Sequence, residues 1–148
     1  MSTRRWALAW AALCAAFALH VVDEAANDFL FWYNPNALAI RARFPWLPVP
    51  VFTFPVFITS LTIAVVGLTA LTPLVRRGRT WLVPFAFFYA IVHVANAISH
   101  ITVSVVGRWF APGVYSSPVL LAAALWLLYE TLRMRRGAGI PVRDLSFP

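Results

Sequence analysis

The stretch from Trp6 to Tyr33 reads WALAWAALCAAFALHVVDEAANDFLFWY, and it decides how the chain folds. From Trp6 to Leu19 every residue is apolar. A helix in water needs a polar face along its length, and this one has none before His20. A run that is apolar all round belongs in lipid, where about 20 residues cross a hydrocarbon core of about 30 Å. Then, within six residues, come three of the chain's five acids: Asp23, Glu24 and Asp28. Lipid-compatible sequence and ionisable groups therefore share one segment, and both must be explained together.

The rest of the chain repeats the lipid pattern. Of its 148 residues, 61% are apolar and 11% charged, against about a quarter charged in soluble domains. That excludes disorder and an ordinary soluble core. Four segments are long enough to cross a bilayer: about 6–31, 49–75, 81–106 and 114–132. The expected fold is all-α, an integral membrane four-helix bundle forming one domain over 1–136, with a polar tail over 137–148. The first external loop contains ALAIRARFPWL, whose interleaved apolar and Arg positions read as a short interfacial helix. The first run continues past His20, so it is read as a retained span and not as a cleaved leader.

The net charge of +7 comes from arginines alone, clustered between the apolar runs. With four spans, Arg4, Arg5, Arg76, Arg77, Arg79, Arg133, Arg135, Arg136 and Arg143 share one side, and Arg41, Arg43 and Arg108 the other. The positive-inside rule then places both termini in the cytoplasm of what the lysine-free composition marks as a bacterial protein of the inner cell membrane. Short clusters of this kind orient a membrane protein; they do not bind nucleic acid. The lone Cys14 permits no intrachain disulfide and reads as a small buried hydrophobe. Trp32, Tyr33, Trp46 and Trp109 fit an outer aromatic belt, Trp6 and Trp81 an inner one.

An ionised group inside a span costs at least about 2.5–3.5 kcal/mol, so three acids there need partners or a function. His20 and Glu24 are spaced i, i+4, as are Glu24 and Asp28; Asp23 and Asn27 form a second such pair about 100° round the helix. The third span carries His93, Asn96 and His100 on one stripe. Counted from Trp6 and Trp81 at 1.5 Å per residue, His20 and His93 both lie roughly 18–21 Å deep. On that count Glu24 levels with Asn96, and Asp28 with His100. One composite site is the economical reading.

Imidazole and carboxylate at helical spacing are ligands for Zn, Fe or Mn in helix bundles. The expected ligands are His20, Glu24, His93 and His100, with Asn27 and Asn96 supporting them and Asp23, Glu24 and Asp28 as candidate catalytic carboxylates. The favoured function is a metal-dependent membrane enzyme acting on a hydrophobic or lipid-like substrate. Without a metal, the same groups could move protons on a terpenoid- or sterol-like substrate, as an isomerase or cyclase. As a third alternative, they form a polar network that only holds helices together in a non-enzymatic subunit. The expected partners are the bilayer and a hydrophobic small molecule; a homodimer is compatible with so small a bundle, but no residue argues for it. Glu130 pairs with Arg133 at i, i+3 and reads as structural. No phosphate loop, Cys pair or nucleophile elbow is present.

His20-Val-Val-Asp23-Glu24 resembles the HXXEE motif of the HXXEE-domain family of bacterial integral membrane proteins. That family carries a further His and a Tyr-X-Pro-Gly motif downstream. His100 resembles the first, and Phe110-Ala-Pro112-Gly113 the second. The resemblance covers about residues 15–125. Asp23 stands for the first Glu with a shorter reach, and Phe110 for Tyr, so no phenol hydroxyl is essential here. The resemblance implies a membrane fold and a shared site, and names no activity. Four-span sterol isomerases of the emopamil-binding type and small membrane terpene cyclases are similar in architecture alone; they motivate the metal-free alternative.

Overall fold

A computed structural model describes residues 3–137, which form six helices and, among the described residues, no strand. The tail expected over 137–148 lies outside the described residues, apart from Gly137 at the end of the last helix.

Helix α1 (Thr3–Ala26) is rich in Ala and Leu, strong helix formers. It is the central helix: 56% of its most apolar window is buried, against 6% for Phe54–Arg76 and 39% for Leu82–Gly107. Its inner stripe of Trp6, Trp10, Leu13, Phe17 and His20 follows helical spacing. Trp6 donates its indole N–H to Thr131 Oγ1 at 3.0 Å, and Trp10 to the Leu68 carbonyl at 3.1 Å. Buried indoles need such acceptors. Trp6 is fully buried and Trp81 is exposed, so these two do not form one aromatic belt.

The first apolar run does not continue to residue 31. α1 ends at Ala26, and Asp28 takes the left-handed conformation (φ 54°) that lets the chain turn. Asp and Asn visit that region more readily than other non-glycine residues, so the break needs neither Gly nor Pro. Phe29 to Tyr33 open a second helix, α2 (Phe29–Arg43), which contains Pro35. The helix expected in the external loop therefore starts earlier and stops at Arg43. Beyond it Pro45, Pro48 and Pro50 keep the chain out of helical geometry, because each fixes φ and restricts the residue before it.

α3 (Phe54–Ala70) has Pro55 in its first turn, where the missing N–H costs nothing. A turn at Leu71 leads into α4 (Thr72–Arg76), with Pro73 in its first turn. α5 (Leu82–Gly107) ends at Arg108, whose φ of 55° turns the next N–H, that of Trp109, onto the Ser104 carbonyl at 3.2 Å. α6 (Ser117–Gly137) begins three residues later than its apolar run, because a turn occupies residues 112–116.

α1, the α3–α4 segment and α5 are long and apolar enough to cross a membrane. α6 carries Glu130, Arg133, Arg135 and Arg136 in its last turns, which dilutes its apolar character. α6 packs on both α5 and α1, and α1 also packs on α3 and α4. Lipid tails are as apolar as leucine, so helices associate in lipid by close fit, and small residues favour it. Ala9, Ala86, Ala90, Ala97 and Ala124 are fully buried. α1 and α5 meet instead through large side chains, such as the rings of Trp10 and Tyr89 at 5.2 Å. The wider spacing between α1 and α5 leaves room for the polar groups.

Candidate metal centre

Across the α1–α5 contact, Phe17 faces His93, His20 faces Asn96, and Glu24 faces His100. In each pair the partners lie 76 positions apart. The depth count from Trp6 and Trp81 took His20 as roughly level with His93, Glu24 with Asn96 and Asp28 with His100, registers three to four residues, or about 4.5–6 Å, away from the observed one. Trp6 and Trp81 are themselves 75 positions apart, within one residue of the observed register, so the mismatch comes from treating depths that differ by two or three residues as level.

This register brings His20, Glu24 and His100 together. Glu24 Oε1 is 3.2 Å from His100 Nε2 and 3.5 Å from His20 Nε2. The three ligand atoms lie within 4.8 Å of one another, and all three residues are buried. Metal bonds of about 2.0–2.2 Å to N and O give a tetrahedral edge of roughly 3.3–3.5 Å. The two edges from Glu24 fall near that length, and the His20–His100 edge is no longer than 4.8 Å. The donor set fits a divalent ion with one position open.

His20 is held from behind. Ser116 donates its backbone N–H and its hydroxyl to Asp23 Oδ2, at 2.8 and 2.7 Å. The same hydroxyl oxygen is 2.8 Å from His20 Nδ1. With its hydrogen directed to the carboxylate, Ser116 Oγ accepts from His20, so Nδ1 carries the hydrogen and Nε2 the lone pair. Asn96 Nδ2 donates to that Nε2 at 3.0 Å, which agrees. A ligand histidine normally shows this arrangement, with its outer N–H fixed by a chain that ends on a carboxylate. Asp23 also accepts from Asn27 at 2.8 Å, and it places a negative charge at the N-terminus of α6, where the helix dipole favours one. Asp23 and Asn27 thus support the centre without touching the ligand atoms.

Gly113 forms the floor. Val114 N–H bonds the Ala111 carbonyl at 3.0 Å, with Pro112 and Gly113 between them and Gly113 at φ 87°. That is the pattern of a type II turn. A Cβ on Gly113 would lie 2.9 Å from His100 Cε1 and Nδ1 and from His20 Cε1. The main chain therefore rests directly against both imidazoles. Of the Phe110-Ala-Pro112-Gly113 motif, Phe110 is 74% exposed and stacks on Tyr115, away from the centre.

Two expected members stand apart. His93 contacts Phe17 and Tyr89 ring to ring, at 4.6 and 4.5 Å, and donates Nδ1–H to the Tyr89 carbonyl at 3.0 Å. The register puts it on the far side of Asn96 from the ligands. Asp28 is exposed in the turn between α1 and α2, because the helix that would have carried it onto the Glu24 face has ended. Glu130 is buried beside Arg133 at 3.9 Å, remote from the centre. Ser116 was not picked out from the sequence. A Ser just before an apolar run is an N-cap signal, but its reach to His20 is not visible in any spacing.

His100 and Asn96 also line a cavity of about 290 Å³ between α5 and α2, walled by Phe29, Trp32 and Tyr33. The centre thus adjoins an apolar space large enough for part of a small molecule.

No curated protein and no solved structure matches the chain. The motif that supplies His20, Asp23 and Glu24 is itself the mark of a family whose description is "protein of unknown function with HXXEE motif" and whose match runs over residues 11–127. With most of the chain covered, and with His20 and Glu24 converging on His100, this chain belongs to the HXXEE family.

Proposed function

We propose that the protein is a small membrane enzyme in which His20, Glu24 and His100 hold one divalent ion (Zn, Fe or Mn) and act on a hydrophobic or lipid-like substrate. The observation that carries this is the convergence of two Nε2 atoms and one carboxylate oxygen, with the outer nitrogen of His20 tied through Ser116 to Asp23. A divalent ion with an open position polarises an oxygen function of a substrate. The chain's own part is to orient the donors. Asp23 and Ser116 fix His20, Gly113 supports both imidazoles, and Glu24 supplies the negative charge. Asn96 competes with an ion for the His20 lone pair, so its amide moves aside on binding.

In this proposal α6 is the fourth span. Arg4 and Arg76 line one cleft, and Arg135 lies over the Phe87 ring at 5.4 Å, which supports placing the Arg-rich ends of α1, α4 and α6 together. The positive-inside rule then puts both termini in the cytoplasm of an inner membrane, with the metal centre in the outer half and α2 lying in the outer interface. Exposed Phe31, Leu38 and Ile40 beside Arg41 and Arg43 support that place for α2.

Elemental analysis of the detergent-purified protein beside His20→Ala/Glu24→Ala tests the reading. Near-stoichiometric metal that vanishes in the double variant is expected. Its absence from the wild type, after growth in supplemented medium, overturns the proposal. The Glu24–His100 contact at 3.2 Å favours a second reading, metal-free proton transfer. That reading expects turnover without metal and its loss in Glu24→Gln.

A further inference from the structure

The wall of the cavity beside His100 limits what it can hold. Its volume of about 290 Å³ is at the lower edge of the range for small-molecule pockets, about 300–1,000 Å³. Phe29, Trp32, Tyr33 and Ile40 of α2 form one side, and Val103 of α5 part of the other. No Arg, Asp or Glu lines it. Tyr33, Asn36, Asn96, Ser99, His100 and the Trp32 indole bring polar groups to it, and two of these already bond their own helices. The Asn36 amide donates to the Trp32 carbonyl at 2.6 Å, and the Ser99 hydroxyl to the Asn96 carbonyl at 2.7 Å. Asn96 and His100 are the two that adjoin the metal centre; the Asn96 amide bonds His20 through its nitrogen, and its oxygen takes no hydrogen bond among the described residues.

A charged head group would meet no counter-charge in the lining, since Glu24 lies behind His100 and is already engaged by both imidazoles, and burying an unpaired charge is among the costliest steps in binding. A purely apolar molecule would leave Asn96 and His100 against hydrocarbon. An uncharged molecule with one oxygen function satisfies both conditions. The wall is also braced. Asn34 bonds the Phe52 backbone twice, at 2.8 and 3.1 Å, and the Tyr33 hydroxyl donates to the Pro50 carbonyl at 3.0 Å. α2 and the segment after it therefore form one fixed cover over α5.

We infer that this cavity binds an uncharged amphiphile, whose single hydroxyl or carbonyl oxygen meets Asn96 and His100 and whose first apolar carbons lie among the aromatic rings of α2. The inference names the substrate class of the proposed metal centre and rests on that reading for its catalytic meaning; the binding step itself requires no metal.

The test uses the full chain in lipid nanodiscs and a diazirine-bearing dodecanol as photoprobe. Label is expected on peptides of α2 and α5. With the protein stripped of metal by EDTA, so that no ion offers a counter-charge, dodecanol should compete at least about tenfold better than dodecanoic acid or dodecylamine, since the charged heads carry the desolvation cost. Ala37, 1% exposed and in the wall, and Val103 opposite allow the space to be filled from either side. Ala37→Leu and Val103→Phe should each lower labelling severalfold at unchanged metal content. Label mapped to other helices, or equal competition by alcohol, acid and amine, overturns the inference. Mapping on the wild type decides the matter even where a variant misfolds. Specific labelling of a wild type that purifies without metal from supplemented medium refutes the metal reading alone, and a metal-loaded protein without specific labelling refutes this one alone.

Discussion

The Ser116 hydroxyl stands 2.8 Å from His20 Nδ1, although 96 positions separate the two residues. The contact joins the start of α6 to the last two turns of α1. It lets Asp23, which touches neither histidine of the cluster, control how one of them is presented. Removing the hydroxyl in Ser116→Ala leaves the backbone N–H to Asp23 intact and frees the His20 ring to turn. Metal affinity should fall about 10–100-fold, the usual effect of losing such a support. Competition titration with a chromophoric chelator reads this directly. Unchanged affinity would show that the chain from Asp23 does not orient the ligand.

Gly113→Ala should disable the centre from the floor. The new methyl would meet both imidazoles at 2.9 Å, in a backbone conformation that disfavours any side chain. A stability loss of more than about 1 kcal/mol is expected from the backbone term alone, together with loss of bound metal. Thermal unfolding and metal content, measured on the same sample, check it. A variant with wild-type metal content would exclude Gly113 from the site.

His93 and His100 share one stripe of α5 but should behave differently. His100→Ala removes a ligand and should abolish stoichiometric metal, whereas His93→Gln should keep it, because His93 packs on Phe17 and Tyr89 and is not among the three converging groups. Parallel elemental analysis separates them. Loss of metal in His93→Gln would mean that the register described above is wrong.

Chelation should unfold the protein more easily if the ion binds only the folded state. At an ion concentration of about 100 times the dissociation constant, the linked stabilisation is about 2.7 kcal/mol. EDTA should therefore lower the unfolding temperature of the wild type and leave that of His20→Ala/Glu24→Ala unmoved. Equal shifts in both would place the metal elsewhere.

Trp6→Phe tests the core far from the centre. It leaves the fully buried Thr131 hydroxyl without its donor, at a cost of about 1–3 kcal/mol. Metal content per folded molecule should be unchanged.

The legibility of the site in the sequence divides along physical lines. His20 and Glu24 were readable because i, i+4 spacing holds within any unbroken helix. His100 was readable as a candidate, but its partner was not. Pairing across two helices needs the register to within a residue, and a depth count that takes about 18 and about 21 Å as level is too coarse to give it. Asp28 was lost to a helix break made by Asn27 and Asp28 themselves, without the Gly or Pro that usually announces one. Ser116 and the floor role of Gly113 depend on contacts between segments far apart in the chain, which no periodicity encodes. The apolar character of the helices, by contrast, is a property of composition and needed no register.

The glycine beneath the two imidazoles also bears on how the site can change over generations. Asp23 could lengthen to Glu and still offer a carboxylate, and Phe110 faces outward and is free to vary. At Gly113 every replacement, beginning with the smallest, adds atoms where two rings already rest. Drift at that codon has no gentle first step, so a lineage either keeps the glycine or abandons the centre built upon it.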